Sequence, residues 1–396
     1  MIILDTIEIN LLLGLGTCLL IQLLFYWIFL AKPYYHQLAV RKGLIKHPDW
    51  HPPVSVIIYA RNEAVNLETY LPSVLEQNYP RFEVIVVNED SNDDTEHVLK
   101  RLAVQYKHLY ITFLPGKSRN VSRKKVALTI GIKAAQYDSL LFLEANCHPV
   151  SSNWLRNMAR HFINKKQSED QKKIVLGFSA LEKYPSRYAA YDYFITNLQM
   201  MSLALYRSPY MGNGRNLGYN KAVFLQQKSF SKYHFIDAGE DDLLVSENAS
   251  RENVSIEMSS ESMVLVDMET YWMWKEYKIR HAVSNPFYKK FPRFLWRTEY
   301  FSRIAFWVSF VAALIFSIPV YSLSGWIIIG SAAASLLLRW TTQFFIINRT
   351  AYTLHLPKFW FTLPFFDFIQ PFVNGYFYFY EILKGKKDNH WLYGKR

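Results

Sequence analysis

Four consecutive apolar residues, Leu140-Leu141-Phe142-Leu143, run directly into Glu144-Ala145-Asn146, which sets a carboxylate and an amide two positions apart. Such a run reads as a buried strand, and it delivers Glu144 and Asn146 to a sheet edge. Open α/β sheets bind their ligands beyond strand ends of this kind. Further along, Asp237-Ala238-Gly239-Glu240-Asp241-Asp242-Leu243 gathers acids. Three consecutive acids suit a helix start, where the dipole favours carboxylates, or else a reactive cluster. Met211-Gly212-Asn213-Gly214-Arg215-Asn216 has two glycines that permit close backbone approach to a ligand, although a simple turn has the same signature. Arg123-Lys124-Lys125 is a cationic start to a helical stretch and also suits a solvated basic face.

The elements that must position these residues alternate. Val54 to Tyr59 and Phe82 to Val87 read as strands, and between them Leu67, Tyr70, Leu71, Val74 and Leu75 recur at helical spacing, with Pro72 an interruption. A helix is predicted from about Thr95, a strand over 109–113, a helix over 122–135 and the key strand over 140–143. Alternation of this kind implies a mostly parallel sheet with right-handed crossovers. The aromatic stretch 184–206 reads best as core.

The chain of 396 residues is 51% hydrophobic and 17% aromatic, more apolar than a soluble domain alone requires. Residues 11–30 carry no charge over about the length of a bilayer span. Asp5 and Glu8 precede the run, and Lys32, Arg41, Lys42 and Lys46 follow it, which argues for a retained anchor with the following domain cytoplasmic. Residues 304–323 and 325–347 are each long enough to span and imply a helical hairpin, with Arg339 placed to snorkel. The segment before them mixes Lys289, Lys290, Arg293, Arg297 and Arg303 with aromatics, as interface helices do. Residues 359–383 are broken by Pro364, Asp367, Gln370, Pro371, Asn374 and Gly375, and basic flanks favour a re-entrant or interface-lying hairpin. The net charge of +12 accompanies the apolar segments, favouring an anionic membrane surface and no nucleic acid. Cys18 and Cys147 have no partner at metal-ligand spacing.

Taken in order, the motifs resemble those of family 2 glycosyltransferases. Ala60-Arg61-Asn62-Glu63, Gln77-Asn78-Tyr79-Pro80 and Asn88-Glu89-Asp90-Ser91 resemble the family's opening, where an acidic pair holds the nucleoside; Glu89 keeps its carboxylate and Asn88 does not. Lys124 stands where the family's lysine meets the donor phosphates. Glu144-Ala145-Asn146, followed by Cys147-His148-Pro149, occupies the place of Asp-x-Asp, which implies Mg²⁺ or Mn²⁺ at Glu144 and Asn146. An amide coordinates without adding negative charge, so that metal should be held more weakly. Gly212, Gly214 and Asn216 correspond to a cleft-shaping segment. Glu240 and Asp241 correspond to the pair beside the acceptor, which makes Asp241 the base. Arg280-His281 remains of Gln-x-x-Arg-His, with Tyr277 in place of the glutamine. Arg280 is then a diphosphate partner, and Trp274 a wall of the acceptor path.

The resemblance implies a Rossmann-like GT-A domain over 52–285. The other expected segments are an anchor at 1–31, a juxtamembrane linker at 32–51, an interface helix at 286–303, a transmembrane hairpin at 304–347 and a re-entrant or interfacial segment with a basic tail at 348–396. The implied activity is non-processive, inverting transfer of a sugar from a nucleotide-diphosphate donor, a UDP-sugar above all, to a lipid-linked or glycan acceptor at the inner (plasma) membrane, among membrane lipids. Competing readings are a polyprenyl-phosphate glycosyltransferase and an inactive nucleotide-sugar-binding scaffold. No residue pattern sets the oligomeric state.

Overall fold

The computed structural model describes residues 6–46, 49–115, 122–162, 173–225, 230, 233, 236, 238–317 and 323–387. Asp237, the connection at 318–322 and the tail beyond residue 387 lie outside the described residues. Two compact units are present, one from Met1–Leu38 with Lys290–Tyr376, the other from Ala39–Lys289 with Phe377–Arg396.

Among its described residues the larger unit holds ten strands: β1 (Val54–Ala60), β2 (Phe82–Asn88), β3 (Leu109–Phe113), β4 (Ser139–Glu144), β5 (Cys147–Pro149), β6 (Ile174–Gly177), β7 (Ser179–Lys183), β8 (Leu217–Asn220), β9 (Val254–Glu257) and β10 (Val264–Asp267). Seven form one sheet in the order β3-β2-β1-β4-β8-β6-β9. The strands β1 to β4 are parallel, as predicted; β1, β2 and β4 are apolar along nearly their whole length and covered on both faces, while β3 is the largely exposed edge strand. The register sets Tyr59 beside Glu144 and Ala60 beside Asn88, so the carboxyl ends of β1, β2 and β4 share one edge. The sequence did not announce β8, which runs antiparallel to both β4 and β6, or the small second sheet β5-β10-β7.

The helices follow the periodicity. Ala64–Leu75 buries Leu67, Tyr70, Leu71, Val74 and Leu75. Pro72 does not break it: the helix runs on to Leu75, and the Glu76 N–H donates to the Pro72 carbonyl at 2.9 Å. The helix Arg123–Ala134 packs on β1 and β2. Its approach depends on Gly131, where a Cβ would come within 2.8 Å of Ile57 Cγ2. This helix is not a solvated basic face: Lys125 is buried and donates to the carbonyls of Tyr233 and Ile236 at 2.7 and 2.6 Å. The helix Arg187–Leu205 is core, with Tyr191, Tyr193, Phe194 and Leu198 buried.

In the smaller unit, the helical stretches Thr6–Arg41, Lys290–Ser317 and Leu323–Thr353 are long and apolar enough to cross a membrane. Leu15, Phe306, Ala313, Ile328 and Ala332 pack these helices together. Three sequence expectations change here. The interface helix and the first span of the hairpin are one continuous helix, Lys290–Ser317, since nothing between Lys290 and Ile304 caps or breaks it. Residues 359–383 are not a hairpin, because the helix Leu363–Lys387 runs straight through Pro371. Arg339 does not snorkel; it is fully buried and ion-paired with Asp367, an acid the sequence presented as an interruption.

Candidate active site

The acids that end β4 and precede the helix Asp242–Asn248 are joined by one lysine. Lys124 donates to Glu144 Oε1 at 2.6 Å and lies 2.9 Å from Glu240 Oε1. Arg280, from the helix Tyr271–Ser284, pairs with the same oxygen of Glu240. Arg215 Nε lies 2.8 Å from Glu144 Oε2. Burial alone would raise the Glu144 carboxyl, yet Arg215 and Lys124 outweigh it and bring the group down to about 2. Burial likewise acts to raise Glu240, and Arg280 and Lys124 reverse it. On Lys124 burial favours the neutral form, but Glu144 and Glu240 raise its pKa, so the amine stays charged.

Asp241 caps the helix Asp242–Asn248, its Oδ1 accepting from the Asp242 N–H at 2.8 Å. Its Oδ2 accepts from the backbone N–H of Gly214 at 2.6 Å. A Cβ on Gly214 would come 3.1 Å from that oxygen, so the glycine permits the approach as well as donating. Tyr59, Lys124, Glu144, Gly214, Glu240 and Asp241 line one pocket. Asp242 is buried behind it and accepts from the Tyr288 hydroxyl at 2.5 Å. Burial, and then the charge of Asp241, push Asp242 up to about 7. His281 stays neutral, since burial lowers its imidazole to about 4.

The predicted residues thus divide. Lys124, Glu144, Gly214, Glu240, Asp241 and Arg280 come together. Glu89, directly after β2, is a buried carboxylate held by the Tyr59 hydroxyl at 2.5 Å, Arg123 at 2.5 Å and Arg61 at 3.2 Å. Asn146 is committed to packing, its amide donating to the Asp267 carbonyl at 2.7 Å. Asn216 donates to the carbonyls of Phe178 and Ser262 and accepts from the Trp154 indole, tying loops to both sheets. Gly212 faces Val245, whose Cγ2 would lie 2.6 Å from an added Cβ. Trp274 is buried with its indole N–H on Asp192 at 3.1 Å, so it holds the fold beneath the cleft.

Sequence reasoning passed over Arg215, Asp242 and Tyr288. Arg215 lay inside the glycine segment but had no spacing that tied it to Glu144. It sits near the rings of Tyr277 at 5.6 Å and Tyr193 at 6.0 Å, which orient its guanidinium.

Against these residues a divalent metal can be tested. A hard cation needs oxygen ligands with free lone pairs. Both Glu144 oxygens already face cations, and the Asn146 side chain braces β10. Among the described residues no group of three His, Cys, Asp or Glu side chains is placed to hold a metal. The Mg²⁺ or Mn²⁺ implied at Glu144 and Asn146 does not fit this arrangement.

The parallel strands, the acids at their carboxyl ends and the cations that join them coincide with a family model. That model, glycosyl transferase family 2, matches residues 55–220. Residues 55–220 are a family 2 glycosyltransferase domain. Glu240, Asp241 and Arg280 lie beyond the matched part of the chain.

The chain is 26% identical over 125 residues to poly-β-1,6-N-acetyl-D-glucosamine synthase of Staphylococcus aureus, covering 31% of this chain and 29% of that one. It is 32% identical over 106 residues to glycosyltransferase AglE of Haloferax volcanii, covering 26% of this chain and 33% of that one. The matches therefore span about a third of these relatives' lengths. Among solved structures, a mannosyltransferase of Pyrobaculum calidifontis in complex with GDP-Man and Mn²⁺ superposes with a TM-score of 0.51 at 17% identity, over 86% of this chain and 99% of that one. That likeness establishes a GT-A-like α/β fold.

Proposed function

We propose that the chain is a membrane-bound, inverting glycosyltransferase that moves one sugar at a time from a nucleotide-diphosphate sugar, of UDP type, to a lipid-linked or glycan acceptor. The observation that carries this reading is Asp241, fixed by the Gly214 N–H, in one pocket with Lys124 and Glu240 at the sheet's carboxyl edge, where Glu240 also pairs with Arg280.

In this reading the acceptor hydroxyl attacks the anomeric carbon from the face opposite the diphosphate. As the new C–O bond forms, the bond to the diphosphate oxygen breaks and the hydroxyl proton passes to the Asp241 carboxylate. Charge develops on the departing diphosphate, and Lys124 and Arg280 offset it. Glu240 acts through those two cations, holding both from one buried carboxylate. Glu89 serves the nucleoside end. Helices able to cross a membrane and the basic flanks support a multi-pass protein of the plasma membrane with the catalytic domain on the cytoplasmic side.

The anomeric configuration of the product tests this reading. An α-linked donor should yield a β-linked product by NMR, and retention of configuration would contradict it.

A further inference from the structure

The acid at the end of β4 is surrounded by the charge that a metal would otherwise supply. Lys124 and Arg215 each take one oxygen of Glu144, and Lys124 and Arg280 share one oxygen of Glu240. Three cations thus meet Glu144 and Glu240, with the Asp241 carboxylate in the same pocket. Their side chains are not sealed in: Arg215 is 16% exposed, Lys124 18% and Arg280 25%, enough for each to present donors to an anion. A dication placed between Glu144 and Asn146 would have to compete with Lys124 or Arg215 for a Glu144 oxygen and would lie close to both cations. The Asn146 amide nitrogen is held on the Asp267 carbonyl, which fixes the orientation of that side chain. A diphosphate, by contrast, can take over donors the carboxylates now hold. A guanidinium fixed near two aromatic rings loses little freedom in doing so.

We propose that Arg215, together with Lys124, takes the part of the divalent metal in this transferase, so that the donor's diphosphate is bound by side-chain cations and needs no Mg²⁺ or Mn²⁺. The inference rests on the nucleotide-sugar reading above and deepens it. Glu144 then acts as a placeholder that keeps Arg215 and Lys124 folded into the site until a diphosphate arrives, and it is not a metal ligand. The Tyr277 ring, where the family places glutamine, belongs to the same adaptation as a support for Arg215.

The test is calorimetric binding of UDP and of GDP to the full-length chain in lipid nanodiscs, in EDTA and then with excess Mn²⁺ or Mg²⁺. Affinity for the preferred nucleotide should agree within about threefold between these conditions, well under the change expected for loss of a charged contact. Arg215→Ala should weaken binding in EDTA by about tenfold or more, and Arg215→Lys by less, because a charged donor is lost in the first and only its planar fork in the second. Glu144→Gln, which frees both cations and removes the carboxylate at the implied metal position, should leave binding in EDTA undiminished. That variant and the EDTA comparison need no folded Arg215→Ala protein. Binding that vanishes in EDTA, returns with Mn²⁺ and is lost in Glu144→Gln would overturn the inference while leaving the transferase reading standing. Failure of folded protein to bind either nucleotide under every condition would overturn both.

Discussion

The backbone N–H of Gly214 meets Asp241 Oδ2 at 2.6 Å, which aims a helix-capping carboxylate into the pocket. The bond joins the turn before β8 to the acidic segment that the sequence sets more than twenty residues later. A methyl at Gly214 would come 3.1 Å from the oxygen it serves. Gly214→Ala should therefore displace Asp241 and lower kcat by about tenfold to a hundredfold with little change in donor KM, since misplacement of a reacting group by a fraction of an ångström acts on the transition state. Steady-state kinetics with the donor varied would check this, and an effect confined to KM would count against it.

Lys124 carries two carboxylates. Lys124→Met should weaken nucleoside diphosphate binding about tenfold through loss of a charge-assisted contact, and should also lower the melting temperature, because Glu144 and Glu240 lose a shared partner. Calorimetry and thermal unfolding separate the two effects. Unchanged affinity would remove Lys124 from the diphosphate site.

Asp242 predicts a pH dependence of stability. Its folded pKa, about 7, lies above its ordinary 3.8, so the folded state holds the proton more tightly than the unfolded chain. Stability from this group is fully present below 3.8 and is lost as pH rises through about 7. Asp242→Asn keeps an acceptor for the Tyr288 hydroxyl and removes the titration. Its melting temperature should fall less than that of the unsubstituted protein between mildly acidic and mildly basic pH. Parallel curves for the two proteins would show that Asp242 does not titrate in that window.

How much of this was legible depends on whether the signal was local. The strands β1, β2 and β4 could be read because burial on both faces leaves an unbroken apolar run, and the helix Thr95–Gln105 because its apolar residues recur at one spacing. Strands of four residues or fewer, such as β8 and β10, carry too little pattern to be seen. At the site, Glu144 and Asp241 were legible as acids at element ends. Arg215 was not, because its partner lies across the sheet and no spacing encodes a contact between segments. Asp367 was misread for the same reason: a lone acid in an apolar stretch looks like an interruption until Arg339, on another helix, is found beside it.

That pair is the centre of a polar network within the apolar unit. Asp367 also accepts from Gln343 at 2.9 Å, and Gln343 donates to the Tyr26 hydroxyl at 2.7 Å. Asp367→Leu should destabilise the unit by about 3–5 kcal/mol, because it leaves Arg339 charged and buried without its partner. The double variant Asp367→Leu with Arg339→Leu should recover much of the loss. Thermal unfolding in detergent reads both, and a single variant as stable as the parent would show that the pair does not hold the helices.

The most direct test of the central claim is release of nucleoside diphosphate from a panel of nucleotide sugars by the full-length protein in nanodiscs, with a membrane-lipid extract as the acceptor source. The account predicts release from one donor class by the unsubstituted protein. Asp241→Asn should release about a hundredfold less or lower still, as removal of a general base requires, while binding the donor as before. No release from any donor with extract present, or equal release by Asp241→Asn, would contradict the account.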